Sequence, residues 1–241
     1  MATAKLREDR EKQEEVLVDT RLLRDFAKEN GMDDQVVELF LEEALVHQHG
    51  FMEKKGENNL SEMKKAVEQA KSFVEVKGLL KWKSRVARFL GRVADYEEKY
   101  QEATDFYKEA IEKAPLDPKF QDNPALIYEY RGFLILDELR TGDVNEGVKN
   151  VESLYRDYEV TSEGKELKAN DYTTWAIWRT GVMINLCRTL IDLGKLEEYR
   201  ERIIKWLDLA EKDLQPPEGV STWSDFGFRK NEIQRVRGQM V

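Results

Sequence analysis

Apolar residues recur every three or four positions in segment after segment of this chain, and most segments stop at glycine or proline. Leu22, Leu23 and Phe26 share one face of the stretch 21–30, which Thr20 opens as an N-cap and Gly31 closes. Val36, Val37, Phe40, Leu41 and Leu45 repeat the pattern behind Asp33 or Asp34. Met63, Ala66, Val67, Ala70 and Val74 repeat it behind Ser61. Further helices are expected over 79–97, 100–114, 124–140, 144–157, 170–193 and 196–214. A last one follows the break at Pro216-Pro217-Glu218-Gly219 and ends near Arg237. No run alternates apolar and polar residues as a half-buried strand would. The periodicity therefore points to an all-α fold of about ten helices.

Composition agrees with that reading. Charged residues make up 36% of the 241 and hydrophobic residues 41%, the balance expected when each helix buries one stripe and solvates the rest. Five Trp, nine Tyr and ten Phe give too much apolar bulk for a disordered chain. The formal net charge of −9 argues against nucleic acid as the main partner, because binding phosphates needs a surplus of Lys and Arg. Residues 1–15 alternate acid and base around few apolar positions. They read as a charged tail or frayed helix, the first part of a terminal region spanning 1–19, and not as a signal peptide. No stretch approaches the roughly 18 apolar residues of a membrane span. With one cysteine, Cys187, no internal disulfide is possible, and a reducing, cytoplasmic location is the expectation.

The segment Ser84 to Asp117 resembles one tetratricopeptide repeat, a helix-turn-helix unit of about 34 residues. Leu90-Gly91 matches the family's Leu-Gly pair, and Tyr100, Ala103, Tyr107, Ala110 and Pro115 fall at its later signature positions. Gly91, Ala103 and Ala110 would let two antiparallel helices approach, with Leu90, Tyr100 and Tyr107 filling the space beside them. Ala87 and Ala94 depart from the family's usual Trp and Tyr. Two weaker copies start at Tyr128 and Thr180. The first carries Leu134, Gly142, Val144, Gly147, Val151 and Leu154; the second carries Met183, Leu186, Leu190, Gly194, Leu196, Ile203 and Trp206. Residues 34–77 read as a degenerate earlier pair. The resemblance implies a right-handed solenoid of helix pairs over 20–214, irregular in spacing, followed by a linker and a C-terminal helix over 215–241.

Signals of catalysis are sparse. His47 and His49 are two apart and point in different directions on a helix, with no Cys or carboxylate cluster beside them to complete a metal site. Cys187 lies in an apolar run, which suits a buried, inert thiol. No Gly-rich phosphate loop and no nucleophile-elbow motif occurs. The expectation is a protein that is not an enzyme and has no catalytic residue, cofactor or metal.

A basic stripe gives the sharper signal. Arg85, Arg88 and Arg92 are three and four residues apart and share a helix face. By the family resemblance that face lines a concave groove, with Asn185 and Arg188 at comparable positions of the third copy. Such a groove would take an acidic protein segment or a C-terminal carboxylate through bidentate arginine contacts. The other reading of the stripe is a solvated face paired with Glu97, Glu98 or Glu102. Tyr172, Trp175 and Trp178 suit core packing. Trp223, Phe226 and Phe228, with Arg229, Lys230, Arg235 and Arg237 after them, suit either a capping helix or a docking segment. In the docking case the chain would be a structural subunit of a larger assembly.

Overall fold

The computed structural model of the chain describes residues 10–53 and 58–240, with the side chains of 10–13 excepted. Residues 1–9, most of the charged stretch read from the sequence as a tail or frayed helix, lie outside the described part. Among the described residues there are twelve α-helices, two short 3-10 turns and no strand. The helices are α1 (Arg10–Glu29), α2 (Asp33–Met52), α3 (Asn59–Lys77), α4 (Lys83–Tyr96), α5 (Tyr100–Lys113), α6 (Pro118–Asp122), α7 (Leu126–Thr141), α8 (Val144–Val160), α9 (Ser162–Asn170), α10 (Tyr172–Asp192), α11 (Leu196–Asp213) and α12 (Gly227–Gly238). They pack in sequential pairs, a helical repeat-like arrangement. The chain divides into two compact units, 1–118 and 119–241.

In the first unit α2 packs on α3 and α4 on α5. The link from α4 to α5 is so short that the two helices must run antiparallel. Their close approach depends on Gly91. A Cβ there would lie 2.5 Å from the Tyr107 ring, which is fully buried. Ala103 and Ala110 are fully buried on the facing helix. The same unit is tied end to end by polar contacts. Ser84 Oγ donates to Ala110 O at 2.7 Å, and Arg85 Nε donates to the buried Asp117 at 2.7 Å.

Helix α1 starts earlier than the sequence reading placed it. Thr20, read as an N-cap, sits mid-helix and buried. The face turned to α2 carries Thr20, Arg24 and Ala27, while Val18, Leu22, Leu23 and Phe26 point away and are exposed. Charge accounts for this. The Glu43 carboxylate of α2 is buried and accepts from Arg21 Nε at 2.7 Å and from Arg24. A buried carboxylate without partners costs several kcal/mol, so Glu43 needs Arg21 and Arg24 on the side of α1 that meets α2. Burial pushes the Glu43 carboxyl up, but the hydrogen bonds and charges of Arg21 and Arg24 outweigh it and hold it below its ordinary value.

In the second unit α7 packs on α8, and α10 on α11. Gly147 of α8 plays the part of Gly91, since a Cβ there would lie 2.6 Å from Leu139 of α7. Three helices are opened by side-chain caps. Asp143 accepts from Glu146 N, Thr161 from Gly164 N and Asp171 from Thr174 N. The core runs through Leu139, Val151, Leu154, Tyr158, Trp175, Ile184, Leu186 and Ile203, all essentially buried. Trp175 takes its place there, as read from the sequence, and donates Nε1–H to Tyr158 O at 3.0 Å. The C-terminal helix α12 lies against α10 and α11 with Ile233 and Val236 buried. Two short helices escaped the sequence pattern. In α9 Leu167 is the one large apolar side chain, and the helix is set by its Thr161 cap; α6 is a single turn opened by Pro118.

Two outcomes follow from this packing. Gly91→Ala gains about 1 kcal/mol of helix propensity but forces a methyl into the Tyr107 ring, at a cost of about 1–3 kcal/mol. A lower thermal midpoint is therefore expected in a calorimetric scan. The Glu43 shift has a definite pH signature. A carboxyl depressed in the folded state stabilises above its unfolded value, 4.5. That contribution is lost as pH falls through the lower, folded value. Protection factors of α1 amides, exchange rates taken relative to the intrinsic rate at each pH, should fall on acidification across that window more than those of α4. Glu43→Gln should speed α1 exchange at neutral pH, with about 1.5–3 kcal/mol lost, and flatten the dependence.

Candidate functional site

The arginines singled out by spacing share a helix, but each has an internal partner. Arg85 bonds Asp117 through two nitrogens, at 2.7 and 3.3 Å, and its guanidinium lies 3.8 Å over the Trp82 ring. Arg88 is buried, donates to Gln48 at 3.3 Å and lies 4.5 Å from the Phe89 ring centre. Arg92 pairs with Asp95, donates to the Tyr96 hydroxyl and lies 4.4 Å over that ring. The partners are therefore neither Glu97 nor Glu98 nor Glu102. Glu97 itself accepts from Lys64 and Lys99, and those hydrogen bonds hold its carboxyl below the usual range. These guanidiniums act as ties between parts of the first unit.

Asn185 and Arg188 belong to the second unit. Both are half-buried on α10, joined by a long contact of 3.5 Å from Arg188 Nη1 to Asn185 Oδ1. Asn185 lines a small cavity of about 60 Å³ with Gly132, Phe133 and Leu136 of α7, Trp178 and Val182 of α10, and Arg229 of α12. Arg229 reaches this place because Gly181 has no side chain; a Cβ there would lie 2.6 Å from the guanidinium. The Arg229 Nε donates to Ile177 O at 3.1 Å, and its charge is met by Glu232.

Trp178 also borders a larger opening, a cleft of about 480 Å³ bounded by α6, the segment leading to α7, α9 and the start of α10. Its charged lining is Asp122, Glu163, Glu166 and Asp171 against Lys119. Asp171 caps α10 through Thr174 and accepts from Trp223 Nε1 at 3.1 Å. Its backbone hydrogen bond, with Ser162 Oγ adding to it, keeps the Glu163 carboxyl low. The carboxylates of Asp122 and Glu166 have no hydrogen bond or ion pair among the described residues. On α10 the residues Thr174, Trp178 and Asn185 follow at intervals of four and seven, so they occupy one helix face that joins cleft to cavity. Asn185 was singled out from the sequence, though as part of a groove with Arg85, Arg88, Arg92 and Arg188 and not of this cavity. The four acids were not, since Asp122 lies far along the chain from Glu163, Glu166 and Asp171. Asp171 alone left a signal, as the polar residue opening a long apolar helix.

Other reactive groups are placed quietly. Cys187 is buried and its thiol is pushed up to about 12 by desolvation. His47 Nδ1 lies 3.0 Å from Asn59 Oδ1, and both histidines are buried. Among the described residues no three His, Cys, Asp or Glu side chains are grouped to hold a metal ion, and no helix is long and apolar enough to cross a membrane. Comparison with protein-family models, with curated proteins and with solved structures found no match to this chain.

Proposed function

We propose that this chain is a non-enzymatic interaction scaffold of tetratricopeptide-like helix pairs, a right-handed solenoid in the sense of that family, which holds a segment of a partner protein along α10. The observation that carries the reading is the open cleft beside Trp178 with its four carboxylates and single lysine. It combines an indole surface with a surplus of negative charge, which suits a segment bearing Lys or Arg. The sequence alone favoured an acidic segment on Arg85, Arg88 and Arg92. The ion pairs of those side chains support an internal role for them instead, and the cationic segment is the partner favoured by the open surface. A rigid wall of packed helices lowers the ordering cost of holding such a segment.

Two measurements test this reading. Asp122→Lys, Glu163→Lys and Glu166→Lys together should leave the circular dichroism unchanged and deplete wild-type partners at least about tenfold in quantitative capture from the native host. Undiminished recovery by a folded triple variant would remove the cleft from consideration. The arginines should behave differently. Arg85→Glu replaces the cation bonded to the buried Asp117 with a second carboxylate, so a loss of about 3–5 kcal/mol in denaturant unfolding is expected. A fully stable Arg85→Glu protein with altered partners would instead favour the arginine groove.

A further inference from the structure

The exposed stripe on α1 is a second surface, independent of the cleft. Val18, Leu22, Leu23 and Phe26 are 56%, 65%, 56% and 58% exposed. Val18, Leu22 and Phe26 recur every four residues and form one continuous ridge, with Leu23 beside it. Surface helices normally turn such a ridge inward and solvate the opposite face. Here the opposite face is taken by Thr20, Arg24 and Ala27 against α2. A ridge of four large side chains over more than two turns is an uncommon thing to leave in water.

Charge around the ridge is one-sided. Glu15, Asp19, Asp25 and Glu29 are exposed. Each lies three residues along the helix from Val18, Leu22 or Phe26, hence beside the ridge. The three basic residues of 14–29 are all turned onto α2. Arg21 and Arg24 bond Glu43, and Lys28 lies 5.1 Å over the Phe40 ring. Among the described side chains, the outer face therefore presents an apolar ridge rimmed by carboxylates, with Arg21 and Lys28 exposed at its margin but directed to Glu43 and the Phe40 ring. A second copy of α1 laid against it would set four carboxylates against four. An anionic membrane would be repelled in the same way. We infer that the α1 ridge docks an amphipathic helix of a partner protein whose apolar stripe is flanked by Lys and Arg. The apolar contact supplies the attraction, and the rim selects the sign of the flanks.

The test uses the full chain and two synthetic helical peptides with the same leucine stripe, one flanked by lysines and one by glutamates. Fluorescence anisotropy should show the lysine peptide binding at least about tenfold more tightly, with the difference shrinking as salt rises. Leu22→Glu with Phe26→Glu changes only exposed positions, so the fold should persist while this binding is lost. Asp19→Lys with Asp25→Lys should reverse the preference toward the glutamate peptide. The cleft variant Asp122→Lys, Glu163→Lys, Glu166→Lys should bind as the parent does, which keeps this result separate from the fate of the cleft. Equal binding of both peptides, no binding of either, or a preference untouched by the charge swap would overturn the inference. So would retention on phosphatidylserine vesicles, or self-association in sedimentation equilibrium that Leu22→Glu with Phe26→Glu abolishes.

Discussion

A carboxylate or guanidinium taken out of water must meet its opposite inside the protein, and this requirement decides how the helices of the first unit turn. Glu43 is buried on α2 and draws Arg21 and Arg24 of α1 onto itself. Asp117 is buried after α5 and holds Arg85 of α4. The second unit follows the same rule, with Arg179 meeting Asp213 at 2.6 Å and Glu159 at 3.1 Å while lying 3.8 Å over the Tyr155 ring. Apolar packing drives the helices together, but it is tolerant of small rotations. A buried ion pair is not, since a misplaced partner leaves a charge uncompensated.

Those internal pairs also shape the exterior. Arginines drawn inward take buried carboxylates with them, so the pairs leave a chain of net charge −9 with an acidic exterior. The α1 rim and the cleft beside Trp178 are where the remaining carboxylates gather around apolar side chains. Both surfaces are the ones proposed above to take partners rich in lysine or arginine.

Helices were legible in the sequence wherever one stripe of apolar residues faced one neighbour. The pairs α4–α5, α7–α8 and α10–α11 were readable from Gly91, Gly147, Gly194 and the aliphatic residues between them, because close approach and turns demand those residue types locally. The orientation of α1 was not readable, because its ridge obeys the same periodicity as a buried face. What overrides it is Glu43, about twenty positions away in the chain. Arg85, Arg88 and Arg92 were correctly placed on one helix; Asp95, three residues from Arg92, was within reach of spacing, but Asp117 and Gln48, the partners of Arg85 and Arg88, were not. The cleft is assembled from 119–126, 163–171 and 174–178, and no local pattern joins those segments.

The most direct measurement concerns which face of α1 meets water. In a Cys187→Ser background, single substitutions Leu22→Cys, Phe26→Cys, Thr20→Cys and Ala27→Cys each report local access through the rate of thiol alkylation. Orientation by Glu43 requires rapid labelling at positions 22 and 26, and labelling about a hundredfold slower at 20 and 27. Protection at 22 and 26 with rapid reaction at 20 and 27 would mean that the apolar stripe, and not the ion pair, sets the helix.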